Sequence, residues 1–482
     1  MTAVGSDVAF NTAQQWLQTC LQDHPSCLRR ELPFLPTRVI DVGTERHDDE
    51  VVKLYISKRT DHHDYAALSY CWGGPQSIRL TTANFNSMTH EILVDPLPQT
   101  IKDAIRVTRR LGIRFLWIDA LCIIQEGDDS DKLREVGIMG AIFKNAILTI
   151  TAASARGVSD GFLETRPGPT SVPLPFDSGS TGKIGTVRLV RTQNLTHNPM
   201  EPLNQRGWTL QEAFLSRRML IYGEEEMVWH CHVENSKQTA GSLFHCVEDP
   251  SLSKAKAFDA NIPLTSQKHQ IWTILVEQYT RRGLSVQEDR LAAITGVIVE
   301  LKPIFQDDCS FGTWHQNFSR QLAWYCNYSW CKVKESSKLS CAPSWSWASR
   351  SSQTRFVPEF QPSDENFWTI NSNNALELIG KLRSAKEVRK RERRSWDIAW
   401  DSKLLEEDRG FDRFVEEYEG REVFCFLLGW GPSPGSAASK TCSLVLIRHI
   451  EEPGVYQRVG LGFSKYNTTL YKSEEVQTVI LA

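Results

Sequence analysis

The sequence has no run of about 18 consecutive apolar residues, so no helix is expected to cross a bilayer. It has no excess of either charge: 55 basic residues face 58 acidic ones, a net charge of −3. That balance argues against a nucleic-acid partner and against attraction to an anionic membrane. The opening stretch MTAVGSDVAFNTAQQWL lacks a basic flank followed by an apolar segment, so no signal peptide is expected. Neither GxGxxG nor GxxxxGK[ST] occurs, which argues against a Rossmann hydride enzyme and a P-loop ATPase. No CxxC pair occurs either. The 12 cysteines are scattered and, without a signal, are read as reduced thiols of a cytoplasmic protein. Cys122, Cys425 and Cys442 lie inside apolar runs and are expected to be small core residues. Histidines cluster with cysteines at His230, Cys231, His232, His245 and Cys246. On a strand, however, only His230 and His232 share a face, and the spacing is not that of a zinc finger. Cys326 and Cys331 have no histidine support, and no metal is expected. There is no internal repeat.

What is present is enough apolar residue for real cores, 41% of 482 residues, and a length that implies two or three domains. Residues 11–29 read as a short helix with Trp16, Leu17, Cys20 and Leu21 on one stripe. LPTRVIDVG and the strand-like VVKLYIS then lead into the next domain. YAALSYCWGG, residues 65–74, reads as a buried strand stopped by a double glycine, where the backbone approaches something closely. LPQTIKDAIRVTRRLG follows as an amphipathic helix begun by Pro98 and ended by Gly112. Ile113–Ile124 reads as a second buried strand carrying Asp119. A helix is expected from about Asp131 to Asn145 with Leu133, Val136, Gly140 and Phe143 inward, then a third strand from Ala146 to Ser154. Strand, helix, strand, helix, strand at this spacing implies parallel pairing, with ligands at the carboxyl ends of the strands. Gly73, Gly74, Asp119 and the loop after Ser154 all fall at those ends.

Residues 165–203 are an excursion rich in proline and glycine. NQRGWTLQEAFLSRR, residues 204–218, follows, with Arg206 and Gly207 turning into a helix that puts Trp208 and Glu212 on one face. MLIYGEEEMVWHC reads as two strands around Gly223. Beyond about residue 235 the chain becomes helical, then tryptophan-rich, then strand-like near its end. A run dense in both charges, about 380–410, is expected to be a solvated face. GWGPSPGS at 429–436 reads as a loop, not a phosphate cradle.

YAALSYCWGG, LWIDALCIIQ, AILTITAAS with DGFL after it, and RGWTLQE stand in the order and spacing of the fungal heterokaryon-incompatibility (HET) domain. The chain resembles that family over roughly residues 65–213. WLQTCLQDHPSC, DRLAAITGV and APSWSWAS resemble its flanks. The resemblance implies self/non-self recognition and programmed cell death signalling. HET domains resemble in turn the TIR domain, a flavodoxin-like α/β fold, several members of which cleave NAD at the nicotinamide–ribose bond with a helix-borne glutamate near a W-C-L-x-E pattern. WTLQE is similar to that pattern, which carries the role to Glu212, with Thr209 in place of the cysteine. YAALSY and WIDALCI would be the first and second TIR strands.

The expectations are therefore as follows. The fold class is α/β, with a flavodoxin/TIR-like parallel sheet flanked by helices and a mixed α+β, Trp-rich C-terminal region. Residues 1–64 form a lead, 65–235 the HET domain and 236–482 the C-terminal region. Glu212 is the catalytic candidate. Tyr70, Cys71, Trp72, Gly73, Asp119 and Trp208 are candidates to line the NAD site, although Trp72 and Trp117 also suit a core, Asp119 a cap or a buried ion pair, and Glu212 a solvent-facing position. NAD is the substrate and no cofactor is required. The partners are a second copy of the chain and a protein from a second allele or locus. A non-enzymatic module that signals by self-association stays open beside the enzyme.

Overall fold

The computed structural model describes residues 2–27, 35–43, 50–58, 60–166, 171–177, 184–190, 201–233, 235–237, 266–326, 337–364, 367–371, 375–384, 396–400, 422–433, 439–449, 452, 454–464 and 475–481. The chain divides into two compact units, Met1–Ala257 and Phe258–Ala482.

The first unit is built on one nine-stranded sheet. In chain order its strands are β1 (Arg38–Asp41), β2 (Val51–Ile56), β3 (Tyr65–Ser69), β4 (Ile92–Leu93), β5 (Phe115–Trp117), β6 (Leu148–Thr151), β7 (Arg218–Tyr222), β8 (Met227–Cys231) and β9 (Asn235–Lys237). Across the sheet they run β9-β8-β7-β6-β3-β5-β1-β2-β4. The three strands read from the apolar runs, β3, β5 and β6, lie side by side and parallel, and β7 adds a fourth parallel member. Every residue of these four strands is buried, as expected where both faces are covered. The sheet is nevertheless mixed: β1, β2 and β4 continue it antiparallel on one side, β8 and β9 on the other. The LPTRVIDVG and VVKLYIS stretches thus belong to the central sheet itself.

The helices are α1 (Asp7–Asp23), α2 (Phe85–His90), α3 (Gln99–Arg110), α4 (Asp119–Cys122), α5 (Asp129–Asn145) and α6 (Trp208–Leu215). Two sequence expectations need correction. The second strand stops at Trp117, and Asp119 opens the helical turn α4 instead of riding on the strand. The inner face of α5 is Asp131, Glu135, Met139, Gly140, Ile142 and Phe143, while Leu133 is exposed. The cause is Arg38 of β1, buried beneath α5. Its guanidinium donates to both carboxylate oxygens of Asp131, at 3.1 and 2.6 Å, and to the Cys122 carbonyl at 2.6 Å. A buried cation requires its partners on the inward side, and that requirement overrides the apolar period.

In the second unit, helices α7 (Ser266–Thr280), α8 (Ala292–Phe305) and α9 (Phe318–Gln321) precede strands β10 (Leu376–Ser384), β11 (Val423–Pro432), β12 (Ser439–Arg448), β13 (Val455–Ser464) and β14 (Val476–Leu481). These five pair in the order β11-β12-β13-β14-β10, and β10 pairs back onto β11, closing a barrel. Five tryptophans of this region are core: Trp272, Trp314, Trp324, Trp345 and Trp347 are all buried. Trp272 and Trp347 both donate their indole N–H to the Gly312 carbonyl. Arg458 stacks 3.6 Å from the Trp324 ring and donates to the Leu322 carbonyl. Of the charge run, residues 385–395 and 401–421 lie outside the described residues. No helix among the described residues is long and apolar enough to cross a membrane.

Candidate functional site

The site is built at the carboxyl end of β3. YAALS is buried along its whole length; the Tyr65 hydroxyl at its start donates to the Ile142 carbonyl, and Ser69 brings a hydroxyl to its carboxyl end. That hydroxyl donates a hydrogen bond to Oε2 of Glu212, a buried carboxylate on α6. Helix α6 is short, and it is held from both ends. At its start Thr209 Oγ1 donates back to the Leu203 and Arg206 carbonyls, at 2.8 and 2.7 Å. At its end Ser216 Oγ donates to the Glu212 carbonyl and lies 2.6 Å from Thr149 Oγ1 of β6. The hydroxyl that stands in place of the expected cysteine therefore fixes the first turn that aims Glu212.

Around this pair the strand end gathers further groups. Arg206, half-buried, donates to the Tyr70 carbonyl. Asp119 accepts from the Trp72 indole N–H at 2.8 Å and from the Ala120 amide at 2.7 Å. It keeps some surface as a residue, but its carboxyl is enclosed. Burial therefore raises its pKa above the ordinary carboxylate value, against the opposing pull of Arg206 and the Trp72 hydrogen bond. The Tyr70 hydroxyl is pushed well above its usual range, first by burial and then by the Asp119 charge. Despite that proximity the Tyr70 hydroxyl makes no hydrogen bond of good geometry, and it is buried. The hydroxyl of Thr151, at the end of the neighbouring strand β6, is likewise buried without a partner. Two such groups at adjacent strand ends cost about 1–3 kcal/mol each.

The remaining sequence candidates take other places. Cys71 turns into an apolar cluster with Ala153, Leu203, Met219, Ile221 and Val228, and burial pushes its thiol up, away from reactivity. Trp208 is half-buried and packs against the main core, as does the Trp72 ring. Gly73 has a φ of +73°, and a Cβ there would stand 2.5 Å from the Cα of Gly157. The double glycine allows the loop after β3 to touch the loop after β6, so the close approach is of backbone to backbone. Arg206, Ser69 and Thr151 were not singled out as site residues by sequence. Ser69 and Thr151 are small hydroxyls ending strands, and Arg206 reads as part of a turn; only the pairing of β3 with β6 and α6 gives them a common location. The string Gly431–Gly435 has the GxSxG spacing of a nucleophile elbow, yet its described part, Gly431–Ser433, lies at the end of the antiparallel barrel strand β11 and not at the end of a parallel strand; Pro434 and Gly435 lie outside the described residues.

Residues that could hold a metal are grouped elsewhere in the same unit: Cys20, His24, Cys27 and Cys231.

Residues 65–212 match the family model described as heterokaryon incompatibility protein (HET), and the chain carries a HET domain over that span. The match begins at the first residue of β3 and ends on Glu212, so it contains β3, α3, β5, α5, β6 and the start of α6. Comparison with curated proteins and with solved structures gives no match.

Proposed function

We propose that this HET domain serves heterokaryon-incompatibility-type recognition of self and non-self, leading to programmed cell death, and that it does so by hydrolysing NAD at the nicotinamide–ribose bond. The observation that carries this reading is the buried Glu212 carboxylate, delivered by α6 to the carboxyl end of the central parallel strand and held there by Ser69. The strand order supports it. In sequence order the parallel strands β3, β5, β6 and β7 lie as second, first, third, fourth, the order of flavodoxin-like sheets. In those sheets ligands sit outside the strand ends at the switch between the first and third strands, here β3 and β6. The Thr151 hydroxyl, buried without a partner at the end of β6, stands at that switch, and the Tyr70 hydroxyl lies beside Asp119 on the other side of β3; both suit the hydroxyl-rich surface of a ribose.

The chemistry asks little of the protein beyond this. Nicotinamide leaves as a neutral base from a cationic pyridinium, so no strong general acid is needed. The positive charge that develops on the ribose is stabilised by a nearby carboxylate, as in glycoside hydrolysis. Glu212 supplies that carboxylate, and water completes the reaction to give ADP-ribose, nicotinamide and a proton. Asp119 and Arg206 set the local charge, and the Trp72 ring borders the loop beside them.

The test is release of free nicotinamide from NAD by the purified protein, across a concentration series that allows self-association, with Glu212→Gln beside the wild type. Loss of about 10²-fold or more in the variant supports catalysis. Equal release by both proteins, or none by the wild type at any concentration, overturns it. If Glu212→Gln also still kills cells, the module signals by assembly alone.

A further inference from the structure

The end of helix α1 and the end of strand β8 bring four metal-ligating side chains into one place. Cys20 and His24 are four residues apart at the end of α1 and so share a helical face. Pro25–Cys27 then forms a tight helical turn that folds Cys27 back beside them. Cys231, the last residue of β8, comes from 207 positions beyond His24 in the chain, and its sulfur lies 3.4 Å from His24 Nδ1. The four ligand atoms all lie within 4.8 Å of one another. All three cysteines are buried and unbridged, and His24 keeps 9% of its surface. A tetrahedral zinc ion with bonds of about 2.3 Å to sulfur and 2.0 Å to nitrogen sets its ligands roughly 3.5–3.8 Å apart, so little movement is required to close on one.

A second observation concerns Arg218, the first residue of β7, which is only 1% exposed. Its Nε donates to the Cys20 sulfur at 3.1 Å, Nη2 to the Cys27 carbonyl at 2.6 Å and Nη1 to the Ile147 carbonyl at 3.3 Å. A guanidinium taken out of water needs a counter-charge, and carbonyls supply none. Zinc held by three thiolates and one neutral imidazole carries one net negative charge, and Arg218 neutralises it. The same N–H to sulfur bond is the kind of outer contact that orients thiolate ligands.

We propose that Cys20, His24, Cys27 and Cys231 bind one zinc ion, with Arg218 as its charge partner. With four protein ligands the site is closed, leaving no position for water or substrate, so the ion is structural and not catalytic. It staples α1 to β8, across the contact where the tilted rings of Trp16 and Trp229 meet with centres 6.4 Å apart. The thiols lose their protons to solvent on binding, so occupancy falls as pH drops. Three of the ligands stand close together in sequence as Cys20-x3-His24-x2-Cys27; the fourth, Cys231, is hidden from spacing arguments because it sits beside two histidines and comes from the other end of the domain.

The full chain, purified under reducing conditions without chelator, is expected to carry about one zinc per chain by elemental mass spectrometry. Replacing it with cobalt(II) should give the visible bands of a tetrahedral ion and the near-ultraviolet charge-transfer band of thiolate ligation. Cys231→Ser and Cys27→Ser should each lose the metal, whereas Cys425→Ser, a buried cysteine of the barrel, should keep it. The cobalt spectrum of the wild type needs no variant, so the inference stays testable if the serine variants do not fold. Absence of zinc together with no thiolate band on cobalt titration would overturn it. So would a disulfide among Cys20, Cys27 and Cys231 in the reduced preparation, or a folded Cys231→Ser protein that retains the ion.

Discussion

At the scale of single residues, the two groups that bear most on the domain do so through burial. Glu201 stands on the loop leading into α6, and its carboxyl is pushed up to about 7, chiefly by burial and then by the charge of Glu224, with the Glu224 amide hydrogen bond opposing. Between about pH 4.5 and 7 the folded chain therefore holds a proton that the unfolded chain has released. Stability from this group is fullest below that window, falls as pH rises through it and is flat above. Glu201→Gln keeps the acceptor for the Glu224 amide and removes the charge. It is expected to stabilise the protein by about 2–3 kcal/mol at pH 8 and by little at pH 4.5, which urea denaturation at the two pH values will show. Gly73 is the second case. Its left-handed backbone and the Gly157 Cα beside it leave no room for a Cβ, so Gly73→Ala should cost about 1–3 kcal/mol, read from the same denaturation curves.

At the scale of elements, α5 and α6 are each tied to the sheet by several polar contacts, of which one in each case carries a prediction. For α5 it is the Arg38–Asp131 pair, in which both side chains are buried. Asp131→Ala leaves the buried guanidinium with only Glu135, 3.9 Å away, as a carboxylate partner and should cost about 3–5 kcal/mol, read from urea denaturation. For α6 it is the Ser69–Glu212 bond. Ser69→Ala should change stability by only about 1–2 kcal/mol, because Thr209 and Ser216 still anchor the helix. It should nonetheless lower nicotinamide release about tenfold or more, because Glu212 loses the donor that orients it. A stability loss with unchanged release would place Ser69 in the fold alone.

At the scale of the whole molecule, each unit has its own apolar centre. The cluster that runs from Val4 to Cys231 lies wholly within the first unit, and the barrel cluster from Phe318 to Leu481 wholly within the second. Residues 1–257 expressed alone are therefore expected to unfold in one cooperative transition, measured by circular dichroism on heating. A gradual, featureless melt would show that this unit depends on the rest of the chain.

The sequence alone determined the parallel centre of the sheet. Runs such as YAALS and AILTIT carry no charge on either face and only small or aromatic hydroxyls among apolar residues, and a strand that can be buried on both sides belongs in the middle of a covered sheet. It also determined that Trp208 and Glu212 lie one turn apart, since helix geometry is local. It misread α5, because Asp131 and Glu135 are drawn inward by an arginine from a strand far away in sequence. It marked the double glycine as a place of close backbone approach, and the structure supplies what Gly73 approaches, the backbone of Gly157. Ser69, Arg206 and Thr151 at the candidate site, and Cys20, His24, Cys27 and Cys231 as one group, were decided only by tertiary structure. Their meaning depends on which strand ends and helix ends become neighbours, and that is fixed by how the whole domain buries its apolar surface, not by any spacing along the chain.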